Sequence, residues 1–172
     1  MDWIVRAEVE SDHIAIDRLH QSAFGQDGES RLVRALRCLP DFAPELSLVA
    51  DAKQRIIGHI LFTSIRIRGP TRSVPALALA PMAVLPQWQR RGVGSSLMQI
   101  GLDCCRRLGH TRVIVVGHSR YYGRFGFVSA SRFGIQAPFP VSPDAFMALA
   151  LQVHALSGCP GVVEYPAAFA AG

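Results

Sequence analysis

LPQWQRRGVGSSLMQIGLDCCRRL, residues 85–108, is the stretch whose reading decides the fold. It closes an apolar run, makes a turn at Gln89-Arg90-Arg91-Gly92-Val93-Gly94, and then opens an amphipathic helix. A helix start carries backbone N–H groups without intrahelical acceptors and the positive end of the helix dipole. Two glycines let a ligand come close to the main chain, and two arginines add full positive charges. That combination fits a diphosphate.

Two better-known glycine motifs fail here on residues their chemistry requires. The dinucleotide fingerprint needs a third glycine where this chain has Leu97, and an acid about 20 residues on, where the chain reads Thr111-Arg112-Val113-Ile114-Val115-Val116. The triphosphate loop needs Gly-Lys-Ser/Thr, and the only lysine is Lys53. What remains is Gln-x-x-Gly-x-Gly between a strand and a helix. This resembles the pyrophosphate-binding motif of the GNAT superfamily of acyl-CoA N-acyltransferases. A second block, Tyr121-Tyr122-Gly123-Arg124-Phe125-Gly126-Phe127, follows the next strand, and Tyr122, Gly126 and Phe127 match the Tyr-x-x-x-Gly-Phe that the superfamily often carries there. The segments VGHSRYYGRFGF and PFPVSPDAFMAL are similar to the YhbS-like subgroup of predicted acetyltransferases. The resemblance covers nearly the whole chain.

The resemblance implies an α/β fold with a central mixed sheet of six or seven strands, flanked by helices and splayed between two parallel strands. It implies acetyl-CoA as co-substrate and no metal. The pantetheine arm would pair with the backbone of Met82, Ala83 and Val84. The diphosphate would sit on the N–H groups of Arg91, Gly92, Val93, Gly94 and Ser95, with the Gln89 side chain and Arg90 beside it. Tyr122 would be the general acid for the leaving thiolate. Many relatives carry a glutamate base on the strand equivalent to 77–85, which has no acid here. His118 and Glu29 are the weaker candidates, and water is the other.

At 172 residues, with 49% hydrophobic and 18% charged residues, the chain reads as a folded single domain, 1–172. Its start has acids and no apolar core segment, so it does not read as a signal peptide, and no apolar run reaches the ~18 residues of a membrane span. Cys38, Cys104, Cys105 and Cys159 show no metal spacing and suit reduced thiols in a cytoplasmic protein.

The net charge of +5 conceals an asymmetry. Residues 1–51 hold 10 acids against 5 basic residues, while residues 52–163 hold 2 acids against 13. A basic half suits an anionic donor and an acidic half a cationic amine acceptor. The arginines are scattered, with no basic run and no RNA-binding aromatic signature, so nucleic acid is not expected as a partner.

Local patterning predicts strands at 2–9, 46–50, 56–68, 77–85, 113–116, 146–153 and 162–165, and helices starting after Ser11-Asp12, over 29–38, 92–108 and 120–125. Pro81 has no N–H to donate and predicts lost pairing within its strand. The helix at 92–108 is expected to bury Val93, Leu97, Ile100, Cys104 and Leu108. Residues 134–143, with three prolines, read as a loop, and His59 as a structural residue within a strand.

The expected activity is direct acetyl transfer to a primary amine, on a small molecule or a protein. A non-catalytic acyl-CoA-binding or regulatory module would keep residues 89–94 and could dispense with Tyr122. The oligomeric state is not legible, which leaves a homodimer open.

Overall fold

The computed structural model describes residues 2–171. Among them nine strands form a mixed sheet: β1 (Ile4–Ala7), β2 (Ser47–Ala52), β3 (Arg55–Arg68), β4 (Ser73–Val84), β5 (Arg112–Val116), β6 (Val128–Ser129), β7 (Ile135–Gln136), β8 (Phe146–Ala150) and β9 (Gly161–Glu164). The order is β1-β2-β3-β4-β5-β8-β6, with β9 paired to β3 and β7 to β9. The helices are α1 (His13–Phe24), α2 (Gly28–Arg37), α3 (Val93–Arg107) and the single turn α4 (Ser119–Tyr122). The two strands beyond the expected seven, β6 and β7, are two residues each, and β7 lies within the proline-bearing stretch read as a loop. Two residues are too few for a period-2 signal.

The chain divides into two compact units. One comprises the chain through Thr63, Ala80–Cys104 and the tail from Ala167; the other comprises Ser64–Leu79 and Cys105–Pro166.

In the first unit β1, β2 and the start of β3 are antiparallel neighbours. The β2–β3 hairpin turns through Lys53 and Gln54, both at positive φ, and the Asp51 side chain accepts the Gln54 N–H at 2.7 Å. Strand alternation then sorts β3 by face. Gly58 and Phe62 face α3: a Cβ on Gly58 would lie 2.8 Å from Leu97 Cδ1, and one on Gly101 of α3 would lie 2.7 Å from the Phe62 ring. Glycine at both crossings lets the helix sit directly on the strand. His59 and Leu61 face the other way. There Ile16 and Leu19 of α1, Val33 and Leu36 of α2, Val49, Leu61 and Ala83 form one buried cluster.

The buried stripe of α3 is Val93, Leu97, Met98, Leu102 and Cys105. Ile100 and Leu108, expected inside, are exposed, and Cys104 is half-buried. The expected positions share one narrow sector of the helix, but the buried face is centred further round, towards Gly101 and Leu102, which leaves Ile100 just outside its edge, and Leu108 lies beyond the end of α3. Gly101→Ala puts two effects in opposition. Helix propensity favours alanine by up to about 1 kcal/mol, while crowding the buried Phe62 ring costs about 1–3 kcal/mol. The overpacking prevails, and the variant is expected to melt a few degrees below the wild-type chain in a thermal scan.

The cluster face also carries a buried polar chain. Arg37 donates to Glu8 through Nε at 2.7 Å and Nη2 at 3.1 Å, and the Ser47 hydroxyl donates to Glu8 Oε2 at 2.7 Å. With its proton given to the carboxylate, Ser47 Oγ accepts from His59 Nε2 at 2.9 Å. His59 Nδ1 is therefore the lone-pair nitrogen and accepts from His20 Nε2 at 2.9 Å. Both histidines are fully buried. Burial pushes the His20 pKa down to about 3, with His59 and Arg37 adding to it, and burial likewise lowers His59. Both rings are neutral. Asp12, expected to cap α1, instead accepts the Val9 N–H at 2.8 Å and pairs with Arg6 at 2.7 Å.

In the second unit the central pair is parallel, Leu77–Leu79 against Val113–Val115. β5 is also antiparallel to β8, from Arg112↔Ala150 to Val116↔Phe146. Val113, Ile114 and Val115 are buried, as expected of a parallel strand covered on both faces, but Val116 is exposed. β9 pairs with β3 from Arg66 to Arg68.

Candidate active site

The β4–β5 ladder ends at Leu79, two residues before Pro81, and β4 runs on to Val84. Beyond the ladder, Leu85 N–H donates to Ile57 O of β3 at 2.9 Å. Backbone groups alternate in direction along a strand, so the N–H and C=O of Val84 point to the other edge of β4. Gln89 Nε2 donates to that Val84 carbonyl at 3.1 Å. The glutamine expected beside a diphosphate thus ties the turn to the end of the strand. Met82 and Val84 are half-buried and Ala83 is buried.

The turn that follows is built on positive φ. Arg90 sits at φ 59° and Gly92 at φ 90°, and a Cβ on Gly92 would meet nothing within 4 Å. Gln89, Arg90, Arg91 and Gly92 are exposed, and the Arg91 guanidinium lies 5.4 Å from the centre of the Trp88 ring. The first i→i−4 bond of α3 runs from Ser96 N–H to Gly92 O at 3.0 Å. The N–H groups of Val93, Gly94 and Ser95 precede that bond, so the helix offers them no acceptor. Val93 also anchors the turn, its side chain buried against the Gly58 position. Met82 to Ser95 thus lie in the first unit, and Tyr122 lies in the second.

Tyr122 ends α4, just past β5. Its N–H and that of Tyr121 both donate to His118 O at 3.1 Å, and Phe127 N–H returns to Tyr122 O at 3.4 Å through Gly126, which sits at φ 95°. The Tyr122 ring meets Tyr121 edge-on at 5.0 Å and Phe127 at 5.8 Å. Burial, with Tyr121 adding to it, pushes its phenol up to about 12. The group keeps its proton throughout the physiological range. Tyr121 packs on Phe125 and under the Arg124 guanidinium, as a packing residue should. His118 is exposed on the second unit, and Glu29, in the first turn of α2 in the first unit, accepts from Gln26 Nε2 at 3.1 Å. Among the described residues no group of three His, Cys, Asp or Glu side chains could hold a metal ion, and no helix is long and apolar enough to cross a membrane.

Residues 14–127 match the model of the acetyltransferase (GNAT) family. The chain belongs to this family. Among the relatives of this GNAT chain is the uncharacterized N-acetyltransferase YhbS of Escherichia coli K12, 32% identical over 163 residues, with 94% of this chain and 95% of that one covered. The uncharacterized N-acetyltransferase YjhQ of the same organism is 38% identical over 135 residues, covering 78% and 75%. Two solved GNAT structures share the fold. The crystal structure of Escherichia coli YhbS in complex with CoA superposes with a TM-score of 0.91 at 30% identity, covering 99% of this chain and 93% of that one. A GNAT acetyltransferase from Brucella melitensis in complex with acetyl-CoA gives 0.79 at 30% identity, with 97% of each chain covered.

Two features escaped the sequence reading. The Glu8–Ser47–His59–His20 chain joins residues up to 39 apart in sequence, and only the alternation of β3 hinted that His59 faces inward. Gly117, between β5 and α4, lies in the VGHSRYYGRFGF segment, but nothing in that segment signalled its close approach to the Tyr122 ring.

Proposed function

We propose that this chain transfers an acetyl group from acetyl-CoA to a primary amine by direct attack. The observation that carries the proposal is the exposed left-handed turn at Arg90–Gly92 opening α3, in a chain 30% identical to a structure holding acetyl-CoA. The first-turn N–H groups and two arginines are the chemistry a diphosphate needs. The outward edge of β4 at Met82–Val84 suits the amides of a pantetheine arm, much as a peptide adds to a sheet edge.

In the reaction the amine lone pair attacks the thioester carbonyl. The C–N bond forms, the oxyanion takes the outward N–H of Val84, and the C–S bond breaks. Tyr122, held neutral by burial, gives its proton to the departing thiolate. The surplus proton of the amine leaves to water or to Glu29 or His118, and Tyr122 regains a proton from water after the thiol departs.

The acceptor is read from charge. Five of the ten acids of residues 1–51 are paired with arginines: Glu8 with Arg37, Asp12 and Asp51 with Arg6, Asp17 with Arg34, and Asp27 with Arg31. The surplus negative charge rests on the others and favours a cationic amine such as a polyamine or a lysine-bearing peptide.

The test has two steps. Acetyl-CoA should raise the melting temperature, since a ligand bound only by the native state stabilises it. Thiol release should then follow with at least one amine from a panel of spermidine, lysine peptides, peptides with a free α-amine, and an aminoglycoside. Stabilisation without thiol release across that panel would favour the non-catalytic acyl-CoA-binding module. No stabilisation would remove both readings.

A further inference from the structure

Gly117 leaves β5 with its N–H donated to Ala145 O at 2.9 Å. The chain then folds through the single turn of α4 and brings the Tyr122 ring back over the backbone it has just left. A Cβ at Gly117 would meet three atoms first, and all three belong to that ring: Cε2, closer than any real contact, then Cδ2 at 3.0 Å and Cζ at 3.4 Å.

The backbone does not itself require glycine here. Gly25, Gly92, Gly109, Gly126, Gly134, Gly158 and Gly161 sit at positive φ, and Gly117 does not. Its φ therefore lies outside the left-handed region that favours glycine. What opposes a side chain is one aromatic ring, and that ring carries the phenol to which the proposed mechanism gives the leaving-group proton.

We propose that Gly117 is a positioning residue for Tyr122: its missing side chain is the seat in which the phenol ring lies, and that seat sets where the hydroxyl points. The inference rests on Tyr122 as the acid. Phe127 and Tyr121 hold the ring by its edges, and Gly126 returns the chain so that Phe127 can do so. A methyl group at 117 leaves Phe127, Tyr121 and Gly126 themselves unaltered and lifts the Tyr122 ring from its seat. A displacement of about 1 Å at a reacting group is enough to slow an enzyme on the order of 10²-fold. The position therefore acts on turnover and not on the acyl-donor site.

The experiment compares Gly117→Ala, Tyr122→Phe and the double variant, using the full chain, acetyl-CoA and the fastest amine of the panel above. Gly117→Ala is expected to lower kcat about 10- to 100-fold with KM for acetyl-CoA within about twofold. Added to Tyr122→Phe it should change kcat by less than about twofold, because the hydroxyl it misplaces is already gone. An acceptor-independent arm uses ring-labelled tyrosine NMR. The chain has three tyrosines, so the signals are assignable by substitution, and Gly117→Ala should move that of Tyr122 and leave that of Tyr165 in place. An unmoved Tyr122 signal, a Gly117→Ala kcat within twofold of wild type, or an equal loss in the Tyr122→Phe background each overturns the inference. Tyr122→Phe at wild-type kcat overturns instead the acid on which it rests, and the NMR arm reads the seat independently of that result.

Discussion

Tyr122→Phe is expected to lower kcat by about 10²–10⁴-fold while acetyl-CoA binds as before. The size follows from the work assigned to the phenol. A departing thiolate is stabilised by a proton in the transition state, and a positioned acid supplies it at a known order of advantage. Phenylalanine keeps the ring, its contacts with Phe127 and Tyr121, and its place over Gly117, so the fold has no reason to respond. The proposed acyl-donor residues, Met82 to Ser95, belong to the other compact unit and are not altered. The check is steady-state kinetics beside a binding isotherm. A variant that loses acetyl-CoA affinity in proportion to kcat would mean that Tyr122 binds and does not donate.

Glu8→Ala is expected to destabilise the fold by about 3–5 kcal/mol, a large part of the ~5–15 kcal/mol typical of a domain. Glu8 is the common acceptor for Arg37, Ser47 and, through Ser47, His59. Its side chain is 3% exposed and that of Arg37 is 11% exposed. Truncation strands a nearly buried guanidinium and a buried hydroxyl, and the penalty is mostly that of the uncompensated charge. Denaturant unfolding measures it. A loss under 1 kcal/mol would show that water enters and pairs with Arg37.

The same chain makes stability fall with acid. Burial pushes Glu8 up, but the His59 Nε2–H, shared with Ser47 and 3.3 Å from the carboxylate, together with hydrogen bonds from Arg37 and Ser47, outweighs it and holds the carboxyl well below its ordinary 4.5. That contribution is present above pH 4.5 and is lost as pH falls through the lower folded value. His20, lowered from 6.5 to about 3, and His59, lowered in the same direction, act earlier. As pH drops below 6.5 the unfolded chain binds protons that the folded chain refuses, so unfolding becomes easier. Arg37, Glu8 and Asp12 are the charged groups that set the His59 balance, and His13, half-exposed, lies 3.4 Å from Glu8. Denaturant midpoints should therefore decline from about pH 6.5 downward, and steepen below about 4.5.

Where residue types were unusual, the sequence could be read. Gln89 to Gly94 combines two glycines and two arginines at a helix start, which few structural needs explain, and the structure puts an exposed left-handed turn there. Pro81 marked the loss of pairing because its missing N–H is a local fact, and the ladder stops just short of it. The apolar run at 113–116 showed the buried parallel strand, though not that Val116 emerges from it. Tertiary spacing was harder to see. Gly58 and Gly101 are ordinary glycines until α3 is laid on β3, and Gly117 is one until Tyr122 folds back. The Gln89 amide reaches the Val84 carbonyl, a contact across a turn that no periodicity encodes.

The central claim is that the turn at the head of α3 holds the diphosphate of acetyl-CoA. Gly92→Glu measured against Gly92→Ala by calorimetric titration tests it most directly. Both side chains strain the same left-handed residue, at a cost of about 1–2 kcal/mol, and neither meets a neighbour within 4 Å at Cβ. Only glutamate adds a negative charge where two phosphates must sit. The account predicts that alanine weakens acetyl-CoA modestly and that glutamate weakens it a further 100-fold or so, about 2.7 kcal/mol. Equal affinities for the two variants, or wild-type affinity with glutamate, would contradict it.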